Sequence, residues 1–559
     1  MKPTLSDKKL RGGYYTPPII AAFLAKWAIR SSGDHVLEPS CGDGNLLVAA
    51  SATLRERGAT YPNIARLLHG VEFDKEEACK ATKRLEDAGI PKAANQIHNG
   101  DFFAYCQSCL FDERLLNTVT RSGRSFDAII GNPPFIRYQN FPETQRTIAC
   151  ELMRGAGLHP NRLTNSWVPF LIASTLLLKD SGRLAMVIPA ELFQVSYAAE
   201  IRLFLSNFYH QITILTFRKL VFKDIQQEIV LILCEREKKG EAGIRVIELE
   251  DCHALKNWET SSVLESDVKP LDHTREKWTQ YFLDQSEIEL LRTLRCHPKV
   301  VRSGSVIDVD VGIVTGENSF FVLSEEKVSQ KEIGDLTHPV VTRSNHLEGA
   351  VFTETDWCEN VKKQYPTFLF RPADIDAKEL PISVQSFLQE GEEAGINTGY
   401  KCRIRKRWYV VPSIWTPDAF MLRQVHSYPK LILNHSGATC TDTIHRVRFR
   451  DNANCKNVVA AFLNSLTFAF SEVTGRSYGG GVLTFEPSEA EDLPIPLAMA
   501  ERLDINHLDA LLRAKEIEKV LDITDKTLLC EGLGLTQKEA SILRGIWAKM
   551  RSRRIYRKR

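Results

Sequence analysis

Gly131-Asn132-Pro133-Pro134-Phe135 directly follows the apolar run Phe126-Asp127-Ala128-Ile129-Ile130. The apolar run has the composition of a buried strand in a parallel sheet. The glycine and the two prolines then end this strand abruptly. An asparagine, a constrained backbone and an aromatic ring therefore follow the carboxyl end of a strand, and open α/β sheets bind their ligands at that edge.

This segment suits the methylation of a planar exocyclic amine. Such an amine is a poor nucleophile because its lone pair is delocalised into the ring. The Asn132 side-chain oxygen and the Pro133 carbonyl can accept its two N–H groups and free that lone pair, while Phe135 can stack on the base. Pro134 restricts the residue before it and so sets the direction of the Pro133 carbonyl. The alternative is that Asn-Pro-Pro is only a turn that ends a strand.

A strand, a glycine loop and a helix are predicted upstream. Val36-Leu37 belong to the strand, Glu38 and Gly42-Asp43-Gly44 follow it, and the helix runs from about Asn45 to Glu56. The glycines let the backbone turn tightly and approach a ligand. This order predicts the nucleotide-binding half of a doubly wound fold.

A second strand, Gly70-Val71-Glu72-Phe73-Asp74, ends in acidic residues, and a third strand ends near Asp101. Glu72 lies at the carboxyl end of its strand, where a carboxylate can accept both hydroxyls of a ribose. Asp74 can cap the helix that follows. The alternative is that the acidic residues serve only as helix caps.

The Asn-Pro-Pro-Phe segment resembles the catalytic motif of DNA adenine-N6 methyltransferases that use S-adenosyl-L-methionine. In that family a Tyr-Thr-Pro segment, here Tyr15-Thr16-Pro17, precedes the first strand. The order of the motifs resembles the gamma class, of the type II restriction-modification kind, over residues 12 to about 235. The family also uses tyrosine at the position of Phe135, and either ring can stack on a base.

The resemblance implies residue roles. Tyr15 and Thr16 would contact the methionine end of S-adenosyl-L-methionine, Asp101 would bind its adenine amine, and Phe102 would pack on the adenine ring. Phe222 would stack on the flipped target adenine, opposite Phe135. The implied cofactor-binding residues are Tyr15, Thr16, Glu38, Cys41, Gly42, Gly44, Glu72, Phe73, Asp101, Phe102 and Asn132. The implied catalytic residues are Asn132, Pro133, Pro134 and Phe135.

The C-terminal half carries a weaker resemblance to target-recognition domains. Its Thr315-Gly316-Glu317-Asn318 segment is similar to one common in such domains. The run 401–407 holds five cations and no acid, and residues 476–481 form a glycine-rich loop with an arginine and an aromatic ring. A solvated face and a plain glycine turn are the alternatives. The residues predicted to contact DNA are Arg343, Lys401, Arg403, Arg405, Arg407, Arg476 and Tyr478.

The predicted fold class is α/β. We expect a Rossmann-like class I methyltransferase domain with a mixed seven-stranded sheet at residues 1–255 and a linker at 256–300. An α+β target-recognition domain is expected at 301–500 and a helical basic segment at 501–559.

The composition is typical of a globular protein, with 43% hydrophobic and 25% charged residues and a formal net charge of +2. No apolar run is long enough to span a bilayer, and the start of the chain lacks the apolar core of a signal peptide. Thirteen scattered cysteines favour reduced thiols in a cytosol. The resemblance implies that this is a bacterial or archaeal cytosol, near the nucleoid. Cys106 and Cys109 have no second pair nearby, so we expect no metal.

The expected partners are double-stranded DNA and a separately encoded cognate restriction endonuclease, with no membrane. Three other functions stay open from the sequence: methylation of RNA, methylation of a protein glutamine, and a non-catalytic DNA-binding module. Acid-x-Lys fragments such as Glu325-Glu326-Lys327 lie in no strand context that would indicate a fused nuclease. The recognised DNA sequence and the oligomeric state do not follow from the sequence.

Overall fold

The computed structural model describes residues 15–110, 126–219, 221, 228–260, 267–271, 276–451, 453–478 and 480–556. Contacts between residues divide the chain into two compact units, one that ends at Phe282 and one from Leu283 to Tyr556. The predicted linker at 256–300 therefore spans the boundary between the units.

The first unit is built on one mixed sheet. Its eight strands, within the described ranges, are β1 (Val36–Glu38), β2 (Leu68–Glu72), β3 (Ile97–Asn99), β4 (Phe126–Gly131), β5 (Leu178–Pro189), β6 (Gln211–Phe217), β7 (Ile229–Glu235) and β8 (Gly243–Leu249). They are ordered β3-β2-β1-β4-β5-β7-β6-β8. Strands β1 to β5 pair with one another in parallel, whereas β7 is antiparallel to both β5 and β6.

The prediction of seven strands is wrong by one. The additional strand, β8, pairs in parallel with β6 at the edge of the sheet, in the register Gln211↔Gly243. Arg245 and Glu248 interrupt its apolar residues, and both are partly exposed. An edge strand with one solvated face lacks the continuous apolar run that identifies the central strands.

Helices pack against this sheet. They are α1 (Pro18–Ala28), α2 (Asn45–Glu56), α3 (Tyr61–Leu67), α4 (Lys75–Asp87), α5 (Phe102–Leu110), α6 (Glu143–Gly155), α7 (Trp167–Leu176) and α8 (Ala199–Phe208). The helix predicted at about Asn45 to Glu56 is confirmed as α2. Because β1, β2, β3 and β4 are parallel, the residues that follow them are collected at a single edge.

The second unit combines short strands with helices. Its strands are β9 (Val300–Arg302), β10 (Ile307–Val311), β11 (Val322–Leu323), β12 (Thr337–Val341), β13 (Val351–Thr353), β14 (Phe368–Phe370), β15 (Ala419–Leu422), β16 (Gln424–Val425), β17 (Leu431–His435), β18 (Thr439–Cys440), β19 (Ile444–Phe449), β20 (Arg476–Tyr478), β21 (Val482–Thr484) and β22 (Pro494–Pro496). The largest sheet has the order β10-β19-β15-β17-β13.

The helices of the second unit are α9 (Gln285–Arg295), α10 (Asn318–Phe321), α11 (Glu325–Lys331), α12 (Glu354–Lys362), α13 (Ile382–Glu393), α14 (Tyr400–Arg403), α15 (Cys455–Phe462), α16 (Ser465–Thr474), α17 (Pro487–Glu491), α18 (Ile505–Arg513), α19 (Ile517–Thr524) and α20 (Gln537–Ile555), with a π-helical segment at Asp525–Gly532. Helix α20 packs on α16, where the Trp547 and Phe468 rings lie 5.2 Å apart. Residues 501–556 therefore belong to this unit, whereas the sequence predicts a separate helical segment at 501–559.

Candidate functional site

The loop after β1 is tied to the end of β2 by the Glu72 carboxylate. One of its oxygens accepts the Gly42 N–H at 2.7 Å, and the other accepts the Asp74 N–H at 2.8 Å. Burial raises the pKa of Glu72, whereas these two backbone hydrogen bonds act to lower it. Each carboxylate oxygen can accept more than one hydrogen bond, so Glu72 can shape the loop and still receive a ribose hydroxyl.

The two loop glycines have different roles. Gly42 has φ +50°, and a Cβ added there would meet nothing within 4 Å. Gly44 has φ +83°, and a Cβ there would lie 2.9 Å from the Cα of Ala81 in α4. Gly42 therefore borders open space that a ligand can occupy, whereas Gly44 allows the loop to pack closely against α4.

Three acidic residues cluster beside this loop. Glu38 is 2% exposed, and one of its oxygens has no hydrogen-bond partner among the described residues. Burial, reinforced by the charges of Glu72 and Asp43, raises the pKa of Glu38 well above its ordinary value. Asp43 forms an ion pair with Arg84 at 2.8 Å. A cationic ligand beside this cluster would favour the ionised form of Glu38.

Asp101 follows β3 and presents one buried oxygen to the same edge. Its Oδ1 accepts the Ala104 N–H at 2.8 Å and caps the first turn of α5. Its Oδ2 is buried and has no partner within the described part of the chain. An unpaired buried acceptor is costly, so this atom fits the amine of an adenine ring.

The aromatic residues near Asp101 differ in exposure. Phe102 is only 3% exposed and stacks on Phe170 of α7, with ring centroids 5.2 Å apart and an angle of 9° between the planes. Phe73, which follows Glu72, is mostly exposed. The sequence reasoning missed Phe170, because its helix reads as uniformly apolar core.

The Tyr15-Thr16 segment is attached to α2. The Asn45 side-chain amide donates to the Thr16 carbonyl at 2.6 Å, and Thr16 is buried. The Tyr15 hydroxyl donates to the Glu77 carboxylate at 3.2 Å. The structure therefore brings this segment to the glycine loop, and Asn45 is a contact that the sequence reasoning missed.

The Asn-Pro-Pro-Phe segment leaves β4 beside the glycine loop. The Ser40 hydroxyl donates to the Asn132 carbonyl at 3.5 Å, and a Cβ added at Gly131 would lie 3.3 Å from Pro39. Pro133 is buried, whereas Asn132 and Phe135 are half-buried, and Phe135 packs on the core of the unit. Phe222, predicted to stack opposite Phe135, lies outside the described residues.

The residues predicted to contact DNA fall into two groups. Arg343, Lys401 and Arg403 are exposed. The other arginines contact groups inside the second unit: Arg405 donates to the Val314 and Thr315 carbonyls at 2.9 and 2.7 Å, Arg407 pairs with Asp374, and Arg476 pairs with Glu489 at 2.9 Å. Their guanidinium groups thus have partners within the second unit, and their contact with DNA stays a prediction. The Tyr478 backbone lies in β20.

Helix α14 and Ile404, which follows it, form a patch of mixed character. Tyr400 and Ile404 are 65% and 59% exposed, and they accompany the exposed Lys401 and Arg403. The Lys401 ammonium lies 5.9 Å from the centre of the Tyr400 ring. Exposed cations beside an aromatic ring can contact phosphates and bases.

No group of three or more histidine, cysteine or acidic side chains in the described ranges could hold a metal ion. Within the same ranges, no helix is both long enough and apolar enough to cross a membrane.

Comparisons with known proteins identify relatives of both units. The family model described as N-6 DNA Methylase matches residues 3–292, just over half of the chain. The model described as Type II methyltransferase M.Eco57I, C-terminal domain, matches residues 275–529.

Individual relatives cover most of the chain. Type II methyltransferase M.AccI from Acinetobacter calcoaceticus is 24% identical over 512 residues, which cover 87% of this chain and 85% of the relative. Type II methyltransferase M.XamI from Xanthomonas campestris pv. amaranthicola is 23% identical over 492 residues, with the same coverage of 87% and 85%.

A solved structure shares the fold. The Type IIL restriction-modification enzyme MmeI in complex with DNA has a TM-score of 0.57 at 14% identity. The match covers 93% of this chain and 73% of the other.

Proposed function

We propose that this chain methylates the N6 amine of adenine at a specific DNA site. The chain belongs to the N-6 DNA Methylase family and transfers a methyl group from S-adenosyl-L-methionine to DNA. We further propose that this methylation protects host DNA from a separately encoded restriction endonuclease, as the type II names of the relatives suggest. Methylation of RNA or protein glutamine is the less favoured alternative, since the relatives match both halves of the chain.

The placement of Asn132 carries the proposal. It follows β4, beside the loop after β1, and β4 is next to the strand that carries Glu38, with the strand that carries Glu72 on the far side of β1. A base amine held by the Asn132 side chain is therefore adjacent to the edge where the cofactor is expected. Adenine must leave the duplex to reach such a site, because its amine is inaccessible within the base pair.

The chain's own residues orient the amine. The Asn132 side-chain oxygen and the Pro133 carbonyl each accept one of its N–H groups, and the Phe135 ring supports the base. When bound, S-adenosyl-L-methionine supplies a methyl group on a sulfonium, which is a good leaving group. The main contribution of the protein is therefore to position the amine.

The described residues fit the cofactor. The unpaired Asp101 Oδ2 is an acceptor for the adenine amine, and Glu72 is an acceptor for the ribose hydroxyls. The buried Glu38 carboxyl has an unpaired oxygen near the glycine loop, and the cationic end of the cofactor would favour its ionised form. Tyr15 and Thr16 border the glycine loop through Asn45.

Within the second unit, α14 is the proposed DNA-contacting surface. Lys401 and Arg403 would contact phosphates, and Tyr400 would contact a base or a sugar. Arg405 supports this surface, because its hydrogen bonds to Val314 and Thr315 join the residues after α14 to the predicted recognition segment.

The proposal is tested by long-read sequencing of DNA from a methylation-deficient host that expresses the wild-type chain or Asn132→Ala. We expect N6-methyladenine at one repeated sequence with the wild type and none with the variant. Asn140→Ala is a matched control, because Asn140 is exposed in the segment that follows the motif. This variant should methylate the same sites as the wild type.

Two results would refute the proposal. Full methylation by Asn132→Ala would remove Asn132 from the mechanism. Modified cytosine, or transfer of radiolabel to RNA or protein instead of DNA, would contradict the proposed substrate.

A further inference from the structure

Ser166 makes an unusual set of contacts for a serine at the start of a helix. It occupies the N-cap of α7, where a serine hydroxyl ordinarily accepts a backbone N–H of its own first turn. Here the hydroxyl makes no such cap. It accepts the Ile136 N–H at 2.8 Å and donates to the Pro134 carbonyl. The side chain therefore contacts the Asn-Pro-Pro-Phe segment at Pro134, 32 residues away in sequence, and the residue that follows the segment.

These two contacts flank a single residue. The Pro134 carbonyl belongs to the peptide group before Phe135, and the Ile136 N–H belongs to the peptide group after it. A third hydrogen bond, from the Ser166 N–H to the Ile136 carbonyl at 2.9 Å, reinforces the junction. Holding both peptide groups restricts φ and ψ of Phe135, and these angles fix the direction of its Cα–Cβ bond and limit the rotamers that its ring can adopt.

The environment of Ser166 makes the hydroxyl hard to replace. The residue has no exposed surface, so water cannot take over either hydrogen bond without a structural change. Without the hydroxyl, the Ile136 N–H would lose a hydrogen-bond acceptor and the Pro134 carbonyl a donor. The loop would then have to move to satisfy these groups elsewhere.

We propose that Ser166 is a positioning residue for methyl transfer, which acts by holding Phe135 in the orientation that stacks on the target base. This role rests on the proposed function, because it requires a base to be held at the Asn132 site. The hydroxyl acts on the loop beside the reacting amine and does not touch substrate or cofactor.

The test compares Ser166→Ala with Ser174→Ala in methyl transfer to unmethylated plasmid DNA. Ser174 is the matched control, since it lies in the same helix, is equally buried, and has a hydroxyl with no hydrogen-bond partner among the described residues. For Ser166→Ala we expect kcat to fall about tenfold to a hundredfold, as slight misplacement of reacting groups produces. KM for DNA and Kd for S-adenosylhomocysteine should stay within about twofold for both variants.

A double-variant cycle separates positioning from general support of the fold. If Ser166 acts through Phe135, then Ser166→Ala should add little to the defect of Phe135→Ala, so the two effects on kcat should be strongly non-additive. Ser166→Thr, which keeps a hydroxyl able to donate and accept, should recover part of the lost kcat.

Three outcomes would overturn the proposal. The first is a kcat for Ser166→Ala equal to that of Ser174→Ala, and the second is additive effects of Ser166→Ala and Phe135→Ala. The third is a parallel loss of kcat and cofactor affinity, which would indicate a structural role alone. If the wild-type chain transferred no methyl group to any DNA, the proposed function would fail first, and this role with it.

Discussion

Replacing Asp101 with asparagine is expected to change which ring the cofactor site prefers. In the native chain Asp101 Oδ1 accepts the Ala104 N–H, and Oδ2 is buried without a partner in the described ranges. An asparagine must keep its oxygen on the Ala104 N–H to preserve the cap. Its amide N–H₂ would then occupy the position of Oδ2 and point a donor at the adenine amine, which is itself a donor.

The magnitude follows from one lost hydrogen bond to a charged acceptor. Such a bond contributes about 1.5 to 3 kcal/mol, and leaving the donor unpaired adds to the loss. The Kd for S-adenosylhomocysteine should therefore rise about tenfold to a hundredfold, at about 1.4 kcal/mol for each factor of ten. Isothermal titration calorimetry measures this change directly, without any need to know the DNA target.

A second ligand makes the test sharper. S-inosylhomocysteine carries a ring carbonyl in place of the adenine amine, so the asparagine amide can donate to it whereas the native carboxylate repels it. The variant should therefore bind the inosyl compound more tightly than the wild type does. Asp74→Asn is the control, because Asp74 caps α4 from the end of the neighbouring strand and should change neither Kd.

The reasoning is refuted if Asp101→Asn leaves both Kd values unchanged. It is also refuted if both ligands lose affinity equally, since that would indicate damage to α5 instead of a reversed hydrogen bond.

Three further predictions concern the second unit. The double variant Lys401→Ala/Arg403→Ala should raise KM for DNA and leave kcat unchanged. The salt dependence of DNA binding should fall by about two released counterions, at about 0.9 for each lost phosphate contact. A fall in kcat alone would contradict a phosphate role. Arg554→Met should destabilise the unit by about 3 to 5 kcal/mol, because the buried Glu472 carboxylate would lose the Arg554 guanidinium that lies 2.7 Å from it. Hydrogen exchange measures this loss. Adding Glu472→Gln should recover part of that loss, and an unchanged free energy of unfolding in Arg554→Met would refute the assignment. Burial, and to a smaller extent two nearby cations, lowers the pKa of His346 from an ordinary value of 6.5 to about 4. Between pH 4 and pH 6.5 the unfolded chain therefore binds more protons than the folded chain. The unit should therefore lose stability as pH falls from 6.5 towards 4, and His346→Phe should flatten this dependence in urea titrations; an equally steep dependence would exclude His346 as its source.

The strands and motifs of the first unit were largely predictable. Residues 126–130 are apolar except for Asp127 and are observed within β4, and the predicted helix from about Asn45 to Glu56 is observed with those bounds. Local composition decides such elements, because a strand buried on both faces must be largely apolar. The edge strand β8 was missed because Arg245 and Glu248 break its pattern.

Side-chain roles in the second unit were less predictable. The cationic run at 401–407 reads as one basic patch, yet Arg405 and Arg407 are engaged within the unit while Lys401 and Arg403 are exposed. Arg476 likewise pairs with Glu489, 13 residues away. A charge count cannot distinguish these cases, because the acceptors come from distant segments of the chain.

The sequence by itself determined that a glycine loop, acidic strand ends and Asn-Pro-Pro-Phe occur in the order of a doubly wound methyltransferase. Each of these features depends on a few neighbouring residues and their backbone preferences. Only the tertiary structure decided that Gly44 is required by the close approach of Ala81, and that the Ser166 hydroxyl holds the segment around Phe135. Contacts between residues far apart in sequence depend on how the helices pack on the sheet, and no local pattern encodes that packing.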